Sequence, residues 1–213
     1  MSFTRKISQK RNVELILGAN MAFVLDGVYI LHETLGVKPV EGWNPKNNKG
    51  VVGIILIEDE HKIVVALEDA PENLYWSNKY KLIDRPVENL EDAQNDFNGE
   101  QHCIGLNSPD FPAAYYCLNY KKGGLSWYLP SSGELWLIYT HLEEIQTALS
   151  IVGGQKLVDT WNDSSPWYWS STENSVTNAW NLYLYDGYLI GWHGKVSYSY
   201  KVRPVSKFNF SSL

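Results

Sequence analysis

A single mixed α+β domain is the fold class that this 213-residue sequence predicts. Three stretches carry the prediction. Residues 166–205 read as an aromatic β-hairpin, residues 131–153 as a well-capped helix, and residues 51–57 and 62–67 as a pair of apolar β-branched runs. The helical segments are grouped between strands and do not alternate with them one by one. Two or three helices inside a β-rich frame argue for an α+β architecture.

Each element has its own justification. Residues 13–17 and 22–31 suit short strands. The following stretch, residues 40–50, holds Pro, Gly and three Asn, the usual material of turns. It is the expected boundary between an N-terminal extension or small β subdomain (1–49) and the main domain (50–213). The two β-branched runs meet across Glu58-Asp59-Glu60-His61 and are apolar on both faces, so a central hairpin is predicted. A short helix over 87–97 should stop at Asn98-Gly99. In a second helix, over 110–120, Phe111, Ala114, Tyr115 and Leu118 form one stripe. The third is the best signalled. Ser131 and Glu134 form a capping box, Leu135, Ile138, Tyr139, Leu142, Ile145 and Leu149 keep helical spacing, and Gly153-Gly154 ends the run.

The terminal hairpin turns at Asp186-Gly187, a pair that tolerates the positive φ of a two-residue type I′ loop. That turn places Tyr185 opposite Tyr188, Tyr183 opposite Ile190 and Asn181 opposite Trp192, on one face. Trp180, Leu182, Leu184 and Leu189 occupy the other face, which suits a core. A last strand over 196–202 alternates Val196, Tyr198, Tyr200 and Val202 with polar residues.

Composition excludes several functions. A formal charge of −6 argues against a nucleic-acid groove, which needs clustered basic residues. No stretch is apolar enough for membrane insertion, and no secretory signal is visible. Two cysteines, Cys103 and Cys117, make neither a disulfide scaffold nor a zinc framework, although a bridge between them is one alternative to free thiols. The five histidines lack metal-ligand spacing, and no phosphate loop, dinucleotide fingerprint or nucleophile elbow is present. His102-Cys103 is the sole hint of a thiol nucleophile, with adjacent side chains that would diverge on a strand. Trp161-Asn162-Asp163 matches the calcium-ligating triplet of sugar-binding C-type lectins, but its usual companion triplet is absent. No cofactor is therefore expected, with calcium the alternative. What stands out instead is the ring content, 9 Trp and 14 Tyr, residues that supply rigid contact area with a polar tip.

Four ordered motifs bear a family resemblance: Trp127-Tyr128-Leu129-Pro130-Ser131 with Gly133-Glu134-Leu135, then Tyr168-Trp169-Ser170-Ser171-Thr172-Glu173, then Asn178-Ala179-Trp180, then Val202-Arg203-Pro204-Val205. Together with Asp96-Phe97-Asn98-Gly99-Glu100, the helix around Ala113-Ala114 and Cys117, and the strand over 62–69, they resemble a C-type-lectin-fold group. The group includes variable proteins of diversity-generating retroelements and related bacterial surface and phage tail-fibre proteins. The likeness spans roughly residues 50–207. A weaker likeness, over residues 26–31 to 51–53, is to segments that precede this domain in phage tail-fibre and gut-bacterial proteins.

The resemblance implies a C-type-lectin-like fold with paired terminal strands, and a ligand-binding, generally non-catalytic scaffold. By that implication Trp169, Ser170, Ser171, Trp180, Leu182, Leu184 and Arg203 are framework. Asn181, Tyr183, Tyr185, Tyr188, Ile190, Trp192 and His193 are display positions, joined by Glu173, Asn174 and Asn178 of the preceding loop. The partner would be a protein or glycan receptor on another cell surface, met outside the cell or on a virion. Two rival classes are an enzyme of the formylglycine-generating type, which shares this fold and needs reactive cysteines, and a homo-oligomer that buries the aromatic face.

Overall fold

The computed structural model describes residues 12–17, 20–158 and 166–209. Strands β1 (Asn12–Leu17) and β2 (Asn20–Leu25) pair with each other as a hairpin. Then follow β3 (Gly27–His32), β4 (Gly36–Pro39), a 3₁₀ turn (Pro45–Gly50), β5 (Val51–Glu58), β6 (His61–Ala66) and the short β7 (Leu74–Tyr75). Five helices occupy the middle of the chain: α1 (Leu90–Gln94), α2 (Gly99–Ile104), α3 (Pro112–Asn119), α4 (Ser132–Thr140) and α5 (Leu142–Val152). The chain closes with β8 (Trp167–Glu173), β9 (Asn178–Tyr183), β10 (Tyr188–Gly194), β11 (Ser199–Tyr200) and β12 (Val205–Lys207).

A five-stranded antiparallel sheet runs in the order β12-β6-β5-β3-β4. β3 and β4, which precede the boundary expected at residue 49/50, belong to the same sheet as β5. The Pro- and Asn-rich stretch before β5 is a 3₁₀ connection, with Asn44 capping it through Lys46 N. The β5/β6 hairpin is as expected, with Glu58 opposite His61 and Asp59 at φ 51° in the turn. Its unbroken apolar run has a reason. Ile54 and Leu56 enter the main core while Ile55 and Ile57 enter a second one on the other side of the sheet.

The helices depart from expectation in three places. A separate helix, α2, begins at Gly99, where the first helix was expected to stop. In α3 the buried residues are Ala113, Ala114 and Cys117, while Tyr115 is exposed, so the stripe is rotated from the one predicted. The third helix is broken at His141 (φ −114°, ψ 22°), whose ring is hydrogen-bonded to Glu58 at the end of β5. The break lets α4 follow α1, β8 and β9 while α5 follows β3 and β5. Gly153 ends α5 in the left-handed conformation, φ 75°, as its sequence predicts.

The capping box of α4 is also a junction. Glu134 accepts from Ser131 N and from Tyr128 Oη, both at 2.8 Å. Ser131 Oγ and Gly133 N both donate to the Asp96 carbonyl, at 2.6 and 3.0 Å. A Cβ on Gly133 would sit 2.5 Å from that carbonyl oxygen, which is why the position is glycine. Thr172 Oγ1 accepts from Ser132 N at 2.9 Å and donates to Asp96 Oδ2 at 2.6 Å. Three motifs distant in sequence thus meet in one buried polar knot. Burial raises the Glu134 carboxyl above its usual range, against the pull of those hydrogen bonds.

The second tie is ionic. Arg203, 1% exposed, donates from Nε to Asp69 Oδ1, from Nη1 to the Ala66 carbonyl (2.9 Å) and from Nη2 to the Gln155 carbonyl (3.0 Å). Asp69 also accepts from Tyr168 Oη at 2.9 Å. Burial works against the guanidinium charge, Asp69 outweighs it, and the net effect raises the arginine further. The pair ties the chain after β6 to the segment after α5, to β8 and to the C-terminal segment.

Cys103 and Cys117 are free thiols and wholly buried, on α2 and α3. Burial pushes Cys103 up to about 12 and Cys117 well above its ordinary value. A thiol nucleophile at His102-Cys103 therefore does not form, since the reactive thiolate would be buried in an apolar core.

Removing one partner of the buried pair should cost far more than a surface change. Asp69→Ala is expected to lower unfolding stability by about 3–5 kcal/mol, read as a lower denaturant midpoint at unchanged slope. Neither cysteine should react with iodoacetamide at pH 8 in the native protein, while both react in denaturant.

Candidate functional site

The terminal sheet, in the order β10-β9-β8, is where sequence places the display surface. Its register differs from the one expected. Tyr183 pairs with Tyr188 and Asn181 with Ile190, so the loop is the four residues 184–187. Only Gly187 in that loop takes positive φ (77°), which rules out a type I′ turn at Asp186-Gly187. Leu184 is instead drawn inward, fully buried, with its N–H bonded to the Pro166 carbonyl at 3.0 Å. A slip of two residues leaves side chains on the faces predicted for them. Trp180, Leu182, Leu184 and Leu189 accordingly line the core, and Trp169, Ser170, Ser171 and Arg203 are buried too.

Two further features divide the opposite face. An irregularity between Ile190 and His193 shifts the register, turning Trp192 out and His193 in. The C-terminal segment also lies beside β8, through a parallel bridge between Tyr168 and Lys201, and lays Tyr200 over the middle of the face. The Tyr200 ring is 4.8 Å from Trp169 and 5.7 Å from Trp167. It covers Trp169 and reaches across to His193, whose Nδ1 lies 2.8 Å from the Tyr200 hydroxyl oxygen.

What remains open is a patch of four exposed rings: Trp192 (60%), Tyr188 (54%), Tyr198 (43%) and Tyr185 (40%). The half-buried Trp167 joins them from beneath, 4.9 Å from Tyr183, 6.3 Å from Tyr188 and 5.1 Å from His193. Tyr183 lies 6.1 Å from Tyr185. Trp167, Tyr198 and Tyr200 were missed from sequence. The alternation of Tyr198 and Tyr200 was visible, but not that their segment folds back over β8.

Four of the display positions expected from sequence are buried and offer no surface: Asn181 (0%), Glu173 (4%), Ile190 (5%) and His193 (6%). Glu173 is structural in its contacts. It accepts from Ile83 N and Asp84 N and pairs with Lys195, a buried ammonium that lies 4.6 Å over the Trp76 ring and donates to the Ser175 carbonyl at 2.8 Å. Burial lowers Lys195 below the ordinary lysine value, with Glu173 opposing. Asn174 and Asn178 are half-buried, Asn174 bonding the Val87 carbonyl at 3.2 Å.

A polar groove of about 730 Å³ runs along residues 84–102. Its side chains are largely committed to local structure. Asn89 caps α1 through Asp92 N at 2.9 Å, Asp96 belongs to the α4 knot, and His102 lies 3.3 Å from Ser171 Oγ. Among the described residues, no group of three or more His, Cys, Asp or Glu is placed to hold a metal ion. The Trp161-Asn162-Asp163 triplet lies outside the described residues. No helix among the described residues is long and apolar enough to cross a membrane.

No protein-family model matches the chain, and no curated protein matches it in sequence. Among solved structures, it is similar to a fimbrial protein from Bacteroides ovatus ATCC 8483, with a TM-score of 0.63 at 18% identity. The match covers 84% of this chain and 48% of the other, so the chain spans about half the length of that neighbour. What the two share is the fold, a mixed α+β arrangement with small antiparallel sheets.

Proposed function

We propose that the chain is a non-catalytic ligand- or receptor-binding module of adhesin type whose contact surface is the aromatic patch on its terminal sheet. One observation carries the reading: Tyr185, Tyr188, Trp192 and Tyr198 are exposed together beside the half-buried Trp167, while every framework residue behind them is buried. Large rigid rings left in water lose little conformational freedom on binding, and Trp and Tyr are the side chains over-represented among binding hot spots. Their faces suit apolar or sugar C–H surface, and the phenol hydroxyls add hydrogen bonds.

The finer reading follows the sequence resemblance: a C-type-lectin-like scaffold of the retroelement variable-protein group, on a bacterial surface or a phage tail fibre, with a protein or glycan receptor as partner. The fimbrial neighbour supports a surface role to the extent that a shared fold can. Buried, protonated cysteines weigh against the formylglycine-generating alternative. Contact through ring faces needs no cofactor.

A glycan array and a panel of bacterial cells would supply the partner. Tyr188→Ala and Trp192→Ala are each expected to weaken binding about 30-fold or more, with stability unchanged within about 0.5 kcal/mol. EDTA should leave binding intact. Unfolding of both variants would show the rings to be core. Light scattering that shows a dimer dissociated by the same substitutions would favour the homo-oligomer instead.

A further inference from the structure

We propose that His193 is the positioning residue of the aromatic patch: in its neutral form it fixes the Trp192 and Tyr198 rings, and protonation releases them. The proposal deepens the reading of the patch as a contact surface and rests on it for its functional consequence. The geometry itself can be tested without any ligand.

His193 sits at the centre of the ring cluster. It stacks on Tyr198 (centroids 4.5 Å apart, 30° between planes) and meets Trp192 edge-on at 4.3 Å and Trp167 edge-on at 5.1 Å. Tyr200 lies 5.4 Å away on the roof. Two of the four exposed rings therefore rest directly on a buried imidazole.

The imidazole is itself held by hydrogen bonds. Asn181 Nδ2 donates to the Ala179 and Ile190 carbonyls, at 3.2 and 3.3 Å, which leaves Oδ1 as the atom facing His193. Oδ1 lies 2.9 Å from Nδ1, so Nδ1 carries the proton and donates to it. The Tyr200 oxygen, 2.8 Å from the same nitrogen, accepts a share of that bond. Nε2 is the nitrogen that titrates.

Among the described residues, the groups in hydrogen-bond or ring contact with His193 are uncharged: Trp167 on β8, Asn181 on β9, Trp192 beside it, and Tyr198 and Tyr200 from the C-terminal segment. The charged groups nearby in sequence have their own contacts. Lys195 pairs with Glu173, and Lys201 lies over the Tyr168 ring. Among the described residues, no carboxylate is in hydrogen-bond contact with the imidazole. Burial accordingly lowers His193 below the ordinary histidine value. A folded value below the unfolded one has a definite sign. The stabilisation it brings is present above about pH 6.5 and is lost as pH falls through the folded value. An imidazolium must gain water at Nε2, and turning outward to reach it breaks the contacts with Tyr198 and Trp192.

The test is an NMR titration of the intact chain from about pH 7.5 to about pH 5, following the His193 Cε1–H and Trp192 indole N–H signals. Trp192→Phe and His193→Gln provide the assignments. The expected result is one shared midpoint below 6.5 for both signals, with a loss of near-UV dichroism at the same pH and unchanged far-UV dichroism. In His193→Gln, which keeps a neutral donor for Asn181, the Trp192 shift should be absent. A Trp192 signal that ignores the His193 titration, or one that shifts identically in His193→Gln, overturns the proposal. Should His193→Gln not fold, the coincidence or separation of the two wild-type midpoints decides alone. Ligand binding lost in Trp192→Ala but insensitive to His193 protonation would sink this inference and leave the contact surface standing.

Discussion

The buried Asp69–Arg203 pair is the constraint on which the rest depends. Alone, a guanidinium without water would cost several kcal/mol, so its partners must be in place before the segment that carries it can be. Those partners come from the last residue of β6 and the chain just after it, from the segment after α5 and, through Asp69, from Tyr168 on β8. Satisfying one arginine therefore fixes where the five-stranded sheet, the helical layer and the terminal sheet meet. It also fixes where residues 199–201 run, because Val202 and Arg203 follow them directly. The roof that Tyr200 makes over the display face is a consequence of that route.

The polar knot at α4 does the same work on the other side. Asp96, Ser131, Ser132, Glu134 and Thr172, with the backbone N–H of Gly133, are polar groups that would be weak evidence for a core one at a time. Their hydrogen bonds satisfy one another, and among the described residues every buried side-chain nitrogen or oxygen has a partner. With both ties buried, the terminal hairpin is anchored through its inner face and, on the outer face, through the contacts of Tyr200 with Trp169 and His193. On the proposed reading, the rings left exposed, Tyr185, Tyr188, Trp192 and Tyr198, are then available for contact.

What was legible in the sequence follows range. The capping box at Ser131 and Glu134, the β5/β6 hairpin and the left-handed stop at Gly153 are local, and the structure has them. The inner face of the terminal hairpin was legible because apolar alternation survives a two-residue slip. The split at His141 was not, since its cause is two sheets that require two helix directions. Glu173 reads in sequence as a display position, and Lys195 carries no reading there at all. They are buried because each is the other's partner across 22 residues. Asn181 and His193 look like display residues in sequence and both are buried, His193 where the register shift after Ile190 turns it in beneath Tyr200.

The rings divide into those buried in the fold and those left exposed, which we propose meet a partner. Hydroxyl-radical footprinting of the free protein, read residue by residue by mass spectrometry, addresses that division most directly. Oxidation is predicted at Trp192, Tyr188, Tyr185 and Tyr198, with Trp76, Trp169 and Tyr168 protected until the protein unfolds. Protection of Trp192 and Tyr188 equal to that of Trp169 in a monomeric sample would contradict it.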